Sequence, residues 1–178
     1  MNIEELKKFI DTAYTKQEWD YLFKKAAKDQ RFFMTVWELA KILPDEKSWR
    51  ILWILDHATE KQNTFIFPIL DELYQRVIKT KNESMVRQTM KLILRCPLIE
   101  DYAGELIERC IEWMNDPKAK ISSQCLGLEF FYQTCLLYPE MAPELLAYIE
   151  DIIERSPSAG YKLRLKQTRS QLQAKGSK

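Results

Sequence analysis

The chain repeats itself, and the repeat limits its fold more than any other feature. Four stretches share a layout: DEKSWRILWIL at 45–55, NESMVRQTMKLIL at 82–94, DPKAKISSQCLGL at 116–128 and SPSAGYKLRLKQT at 156–168. Each begins with Asp, Asn or Ser, whose side-chain oxygens cap helix N-termini. A large apolar residue follows (Trp49, Val86, Ile121, Tyr161), and a second stands four positions later (Trp53, Met90, Cys125, Leu165), so the two share one helix face. The first anchors lie 37, 35 and 40 residues apart, a period that marks stacked helical units. A second register agrees: Pro68, Gly104 and Pro143 stand 36 and 39 residues apart, each followed two positions on by a leucine (Leu70, Leu106, Leu145).

Filling in between these anchors predicts about ten helices and no strand. Ile3, Leu6, Phe9, Ile10 and Ala13 fall on one side of a first helix, and Trp19, Leu22, Phe23, Ala26 and Ala27 on one side of a second begun by Thr15. RFFMTVWELAKIL is apolar around much of its circumference, which predicts burial on more than one side. Pro44-Asp45 starts the fourth, with Asp45 as its cap. Asn63 or Thr64 caps a fifth that carries Pro68 in its first turns, where proline is tolerated. Asp116-Pro117 and Ser156-Pro157 each read as a cap residue with proline at the first helical position. The last residues, QAKGSK, have no apolar face and are expected to fray. The expected organisation is a single helical-repeat domain over 1–175, with a degenerate first pair at 1–28, repeat pairs at 30–61, 63–96, 99–138 and 141–174, and a tail at 175–178.

A chain of 178 residues that is 46% apolar and 30% charged can bury one core. Four glycines among abundant Leu, Lys, Glu and Gln favour helix. The net charge of +1 hides an asymmetry: residues 1–98 sum to +3, 99–155 to −8 and 156–178 to +6. The near-neutral total argues against a dedicated nucleic-acid coat, and the basic last helix is expected to pack beside acidic neighbours. Cys96, Cys110, Cys125 and Cys135 sit in apolar helical runs, as reduced core thiols do. With no apolar run near ~20 residues and no signal-peptide pattern, the expectation is a cytoplasmic chain that does not enter membranes.

The layout resembles HEAT and armadillo-like repeats over about residues 30–170, on the Asp-led second helix and its Val-Arg pair, kept here as Val86-Arg87 and loosely as Trp49-Arg50. The Arg position holds Ser122 in the next repeat and Lys162 in the last, and Trp49 replaces a small β-branched residue. The resemblance implies an all-α, right-handed α-α superhelix, a solenoid whose second helices line a concave face. It also implies an Asp–Arg ladder between repeats, in which Arg50, Arg87 and Lys162 are members. Against that stands the reading in which the same residues reach a ligand.

No compact catalytic pattern stands out. His57 is the only histidine and Asp56 beside it points about 100° away on a helix, so the two do not form an oriented dyad. Glu105, Glu108 and Glu112 share one face, read as solvated. There is no glycine-rich phosphate loop, C-x-x-C pair or nucleophile elbow. The reading is therefore a non-enzymatic binding or scaffold protein for a protein or peptide partner, monomeric or weakly dimeric, with no cofactor and no metal. Its partner-binding candidates are Arg50, Arg87, Gln88, Lys91, Gln124 and Lys162, together with Tyr132, since Phe130, Phe131 and Tyr132 are consecutive and cannot all face inward. The alternative is a nucleic-acid-binding or DNA-repair protein similar to the HEAT-type alkylpurine DNA glycosylases, with Lys162, Arg164, Lys166 and Arg169 on phosphates.

Overall fold

The computed structural model describes residues 1–62 and 64–176, which form ten α-helices, two short 3₁₀ turns and no strand. They divide into two compact units, residues 1–97 and 98–178, taken in turn.

In the first unit, helix α1 (Ile3–Thr12) opens on a capping box in which Asn2 and Glu5 satisfy each other's backbone N–H, and α2 (Lys16–Lys28) repeats the device with Thr15 and Glu18. Asp29 then ends α2 and accepts from two N–H groups of α3 (Gln30–Ile42). Six residues of α3 are buried, and it packs on α1, α2 and α4 (Asp45–Ala58), as its all-round apolar surface requires. Helix α4 in turn lies between α2 and α6 (Glu83–Ile93), which Asn82 caps and which also packs on α5 (Leu70–Lys79). Thus α2, α4 and α6 form one layer. Leu6, Leu22, Phe33, Leu39, Leu52, Leu55 and Leu73 are fully buried beneath it and its partners, each contributing roughly 1.5–3 kcal/mol of burial.

Three local expectations are corrected here. Asp45 does not cap α4. It is the first helical residue, Pro44 is the cap position, and the carboxylate turns instead to Arg76 of α5 and to Thr80. The fifth helix begins later than its sequence pattern predicts, because Thr64–Ile69 wind as a 3₁₀ turn around Pro68 before α5 starts. Pro68 cannot donate an N–H, and the tighter turn absorbs it at the entry. Thr64 donates to the Gln62 side chain rather than capping a helix, and Asn63 lies outside the described residues.

The second unit contains α7 (Glu100–Asn115), α8 (Ile121–Leu137), α9 (Ala142–Arg155) and α10 (Ala159–Gly176). Helix α8 packs on the other three. It meets α7 closely at Gly127, which lies against the Cys110 backbone. Asp116-Pro117 does not open α8. Asp116 is the C-cap of α7, its carboxylate accepts from the Lys118 N–H, and α8 starts only at Ile121. Ser156-Pro157 likewise precede the helix by a turn: Ser158 accepts from the Tyr161 N–H and α10 begins at Ala159. Helix α10 runs through Gly176, into the stretch expected to fray; Ser177 and Lys178 lie outside the described residues.

None of the four cysteines is in a disulfide. Burial pushes every thiol above its ordinary range, to about 11 for Cys96 and Cys135 and furthest for the fully enclosed Cys110. Almost no thiolate is therefore present near neutrality. The native chain is expected to react with a thiol reagent at pH 8 far more slowly than the urea-unfolded chain, Cys110 last. Fast labelling of Cys110 without denaturant contradicts this. Between pH 9 and 11 the unfolded thiols lose protons that the folded ones retain, so stability falls as pH rises through that window.

Candidate functional site

Two kinds of polar arrangement occur on the helices of the first unit. One is closed. Asp56, 1% exposed, accepts from Lys91 Nζ at 2.8 Å and Arg95 Nη2 at 2.5 Å, while Arg95 Nη1 also donates to the Asp56 carbonyl and to Thr59 Oγ1. A second closed arrangement joins α3, α4 and α5: Arg76 donates to Asp45, to Ser48 Oγ and to the Ala40 carbonyl, which Ser48 Oγ also meets at 2.7 Å. Charge-assisted bonds of this kind hold helices in register. The buried or half-buried inter-helix links are thus made by Arg76, Lys91 and Arg95, with an outer pair of Lys41 and Glu72 between α3 and α5. The expected ladder of Arg50, Arg87 and Lys162 is corrected on this point, and Lys91, expected at a partner surface, is committed to Asp56.

The other arrangement is open. A cleft of about 360 Å³ is lined by Trp19 of α2, Trp49, Arg50 and Trp53 of α4, and Arg87 and Gln88 of α6. Its floor is aromatic. The rings of Trp19 and Trp53 are 5.3 Å apart, Phe23 meets Trp53 at 5.0 Å, and His57 stacks on Phe23 at 4.4 Å while its Nδ1 lies 2.7 Å from Glu60. Trp19, Trp49 and Trp53 are only half-buried, unlike Trp37 and Trp113, which belong to the core. Tryptophans left at a surface present a large rigid apolar face with a polar edge.

The cations of the cleft are uncommitted. Arg50 is exposed and its guanidinium lies 5.4 Å from the centre of the Trp49 ring. Among the described residues neither Arg50 nor Arg87 is in an ion pair, and Arg87 Nε is buried with no hydrogen-bond partner. Gln88 is 2% exposed, yet its Oε1 also has none. Buried polar atoms are ordinarily paired. Two lapses lie together in this cleft, as Gln124 Oε1 and Tyr161 OH do in a small recess of the second unit. Among the described residues, only here do they lie beside half-buried tryptophans and two guanidiniums without ion pairs.

The remaining expected site residues lie in the second unit. Gln124 is buried, its Nε2 donating to the Asp116 carbonyl at 2.8 Å. It lines a small recess with Arg155 and Tyr161. Phe130 and Phe131 are both buried and Tyr132 is half-covered, so α8 hides more of this run than one helix face can, by packing on several neighbours. Lys162 is half-buried near the start of α10. Further along, Arg164 pairs with Glu129 of α8 at 2.5 Å and Arg169 with Glu150 of α9 at 3.1 Å. Glu105, Glu108 and Glu112 are exposed.

Sequence reasoning placed Arg50, Arg87 and Gln88 at a partner surface but read Trp19, Trp49 and Trp53 only as members of apolar helix faces. The signal for Trp49 was its own oddity: it fills a repeat position where Val86, 1% exposed, stands in the next unit. A ring too large for that slot has to emerge. Among the described residues no group of His, Cys, Asp or Glu converges as a metal site, and no helix is long and apolar enough to cross a membrane.

Successive helical pairs tied by Asp–cation links, as Asp45 is to Arg76 and Asp56 to Arg95, are the pattern of a helical-repeat fold. No curated protein and no solved structure matches the chain. The model of the HEAT repeat domain does match it, over residues 6–172, nearly its whole length, and the chain belongs to that family.

Proposed function

We propose that the chain is a non-enzymatic binding or scaffold module that recognises a protein or peptide partner, acting in the cytoplasm as a monomer or weak dimer, with the α2–α4–α6 cleft as its docking point. One observation carries this reading: three half-buried tryptophans and two guanidiniums free of ion pairs surround a buried glutamine oxygen that has no partner. Stability alone does not call for such a grouping, since each buried unpaired polar atom costs about 1–3 kcal/mol. Tryptophan and arginine are also the residues most concentrated where partners bind. Helical repeats present side chains of successive helices to one partner, which fits a site shared among three helices.

The nucleic-acid reading fares less well. Two of the four cations it would use on α10, Arg164 and Arg169, already face Glu129 and Glu150. The expected test is a comparison of baits: a partner retained from extracts of the source cells by the native chain is lost with a Trp49→Ala/Arg87→Ala chain that still shows a native helical spectrum. Identical sets of retained proteins reject the cleft assignment.

A further inference from the structure

We propose that the cleft takes an acidic peptide segment, with a carboxylate side chain held between Arg50 and Arg87 and a neighbouring apolar side chain against Trp19, Trp49 and Trp53. This rests on the peptide-binding reading above and names the chemistry of its ligand.

Each part of the site asks for a different group. The tryptophans offer flat apolar area and favour an aliphatic or aromatic side chain. Arg50 and Arg87 supply only donors, and with no anion of their own they favour a carboxylate from outside. The buried Nε of Arg87 has no acceptor until such a group arrives. Gln88 Oε1 is the reverse case, a buried acceptor in want of an N–H. Neither a carboxylate nor an apolar side chain carries one, whereas the backbone that links them does. A peptide therefore meets all three requirements with adjacent atoms.

Other occupants meet fewer. Aromatic pockets elsewhere take quaternary or methylated ammonium groups, but two guanidiniums at the rim repel a cation. A nucleic-acid strand places a charge on every residue and needs a track of free cations. Here the next cation on α6, Lys91, is bound to Asp56, and residues 1–98 sum to only +3.

The experiment is selection of a phage-displayed library of random heptapeptides on the full chain, followed by titration of the enriched synthetic peptide through tryptophan fluorescence. The expected peptides carry Asp or Glu beside Leu, Ile, Phe or Trp. Changing their Asp to Asn, or Arg50 to Ala in the chain, weakens binding roughly tenfold, and so does raising salt from about 50 to about 500 mM. Arg50 is exposed, so Arg50→Ala retains the fold. Gln88→Met supplies the check on structural effects: it removes an unpaired buried oxygen and is expected to melt at or above the native temperature while binding the peptide more weakly. Arg169→Ala, outside the cleft, binds as the native chain does. Enriched peptides that lack acids and ignore Arg50→Ala overturn the acidic-ligand inference while the peptide reading stands. An absence of any enriched peptide, or a response to oligo(dT) alone, overturns both.

Discussion

Asp56→Ala is expected to destabilise the first unit by about 3–5 kcal/mol, the usual cost of stripping one partner from a buried ion pair. Asp56 is 1% exposed, and Arg95 and Lys91 converge on its two carboxylate oxygens. Removing it leaves two cations facing one another with no anion between them. Lys91→Ala should cost far less, because the Lys91 side chain is 42% exposed and Arg95 still serves the carboxylate. Arg95→Ala falls between, since Arg95 also satisfies the Asp56 carbonyl and Thr59 Oγ1. Urea unfolding followed by circular dichroism reads all three. An Asp56→Ala midpoint within about 1 kcal/mol of the native chain contradicts the assignment of Asp56 as the buried hub.

The second large effect is expected at Gly127. A Cβ there stands 3.0 Å from the Cys110 carbonyl oxygen and 3.3 Å from its Cα, and helix backbone does not swing aside as a flexible side chain does. Gly127→Val should cost about 3 kcal/mol by forcing α7 and α8 apart. Gly127→Ala should cost less, because alanine recovers about 1 kcal/mol of helix propensity. Gly104 gives the opposite sign: it is exposed on α7 and nothing lies within 4 Å of an added Cβ, so Gly104→Ala should stabilise by about 0.5–1 kcal/mol. Thermal melts of the three variants decide the matter; Gly127→Val melting with the native chain shows that the helices separate at little cost.

What could be read from the sequence was local or periodic. Asn2 with Glu5, Thr15 with Glu18 and Asn82 before α6 act within four residues of themselves, so their cap patterns translate directly into helix starts. The repeat was legible because its spacing survives substitution, even where Trp49 replaces a smaller residue. Misreadings arose where one residue had a second use that competed with capping. Asp116 ends a helix and folds an Asx turn instead of starting the next helix, and Asp45 gives its carboxylate to Arg76, 31 residues on. The Asp56–Arg95 link spans 39 residues, and no pattern in the chain pairs those two positions before the helices stack. In the cleft, Arg50 and Arg87 were visible as register mates. Trp19 was not, because it joins them only through the packing of α2 on α4.

The link from Arg76 to the Ala40 carbonyl and Asp45 and the link from Arg95 to Asp56 both reach across repeat boundaries. A repeat array whose neighbours meet only through apolar faces can open from its ends, one pair at a time. Here α5 cannot leave without orphaning Asp45, nor the end of α6 without orphaning Asp56. Helices α3 to α6 are thereby tied into one block, whose amide hydrogens are expected to exchange together. Cutting this chain into transplantable single repeats would sever that block at its charged joints.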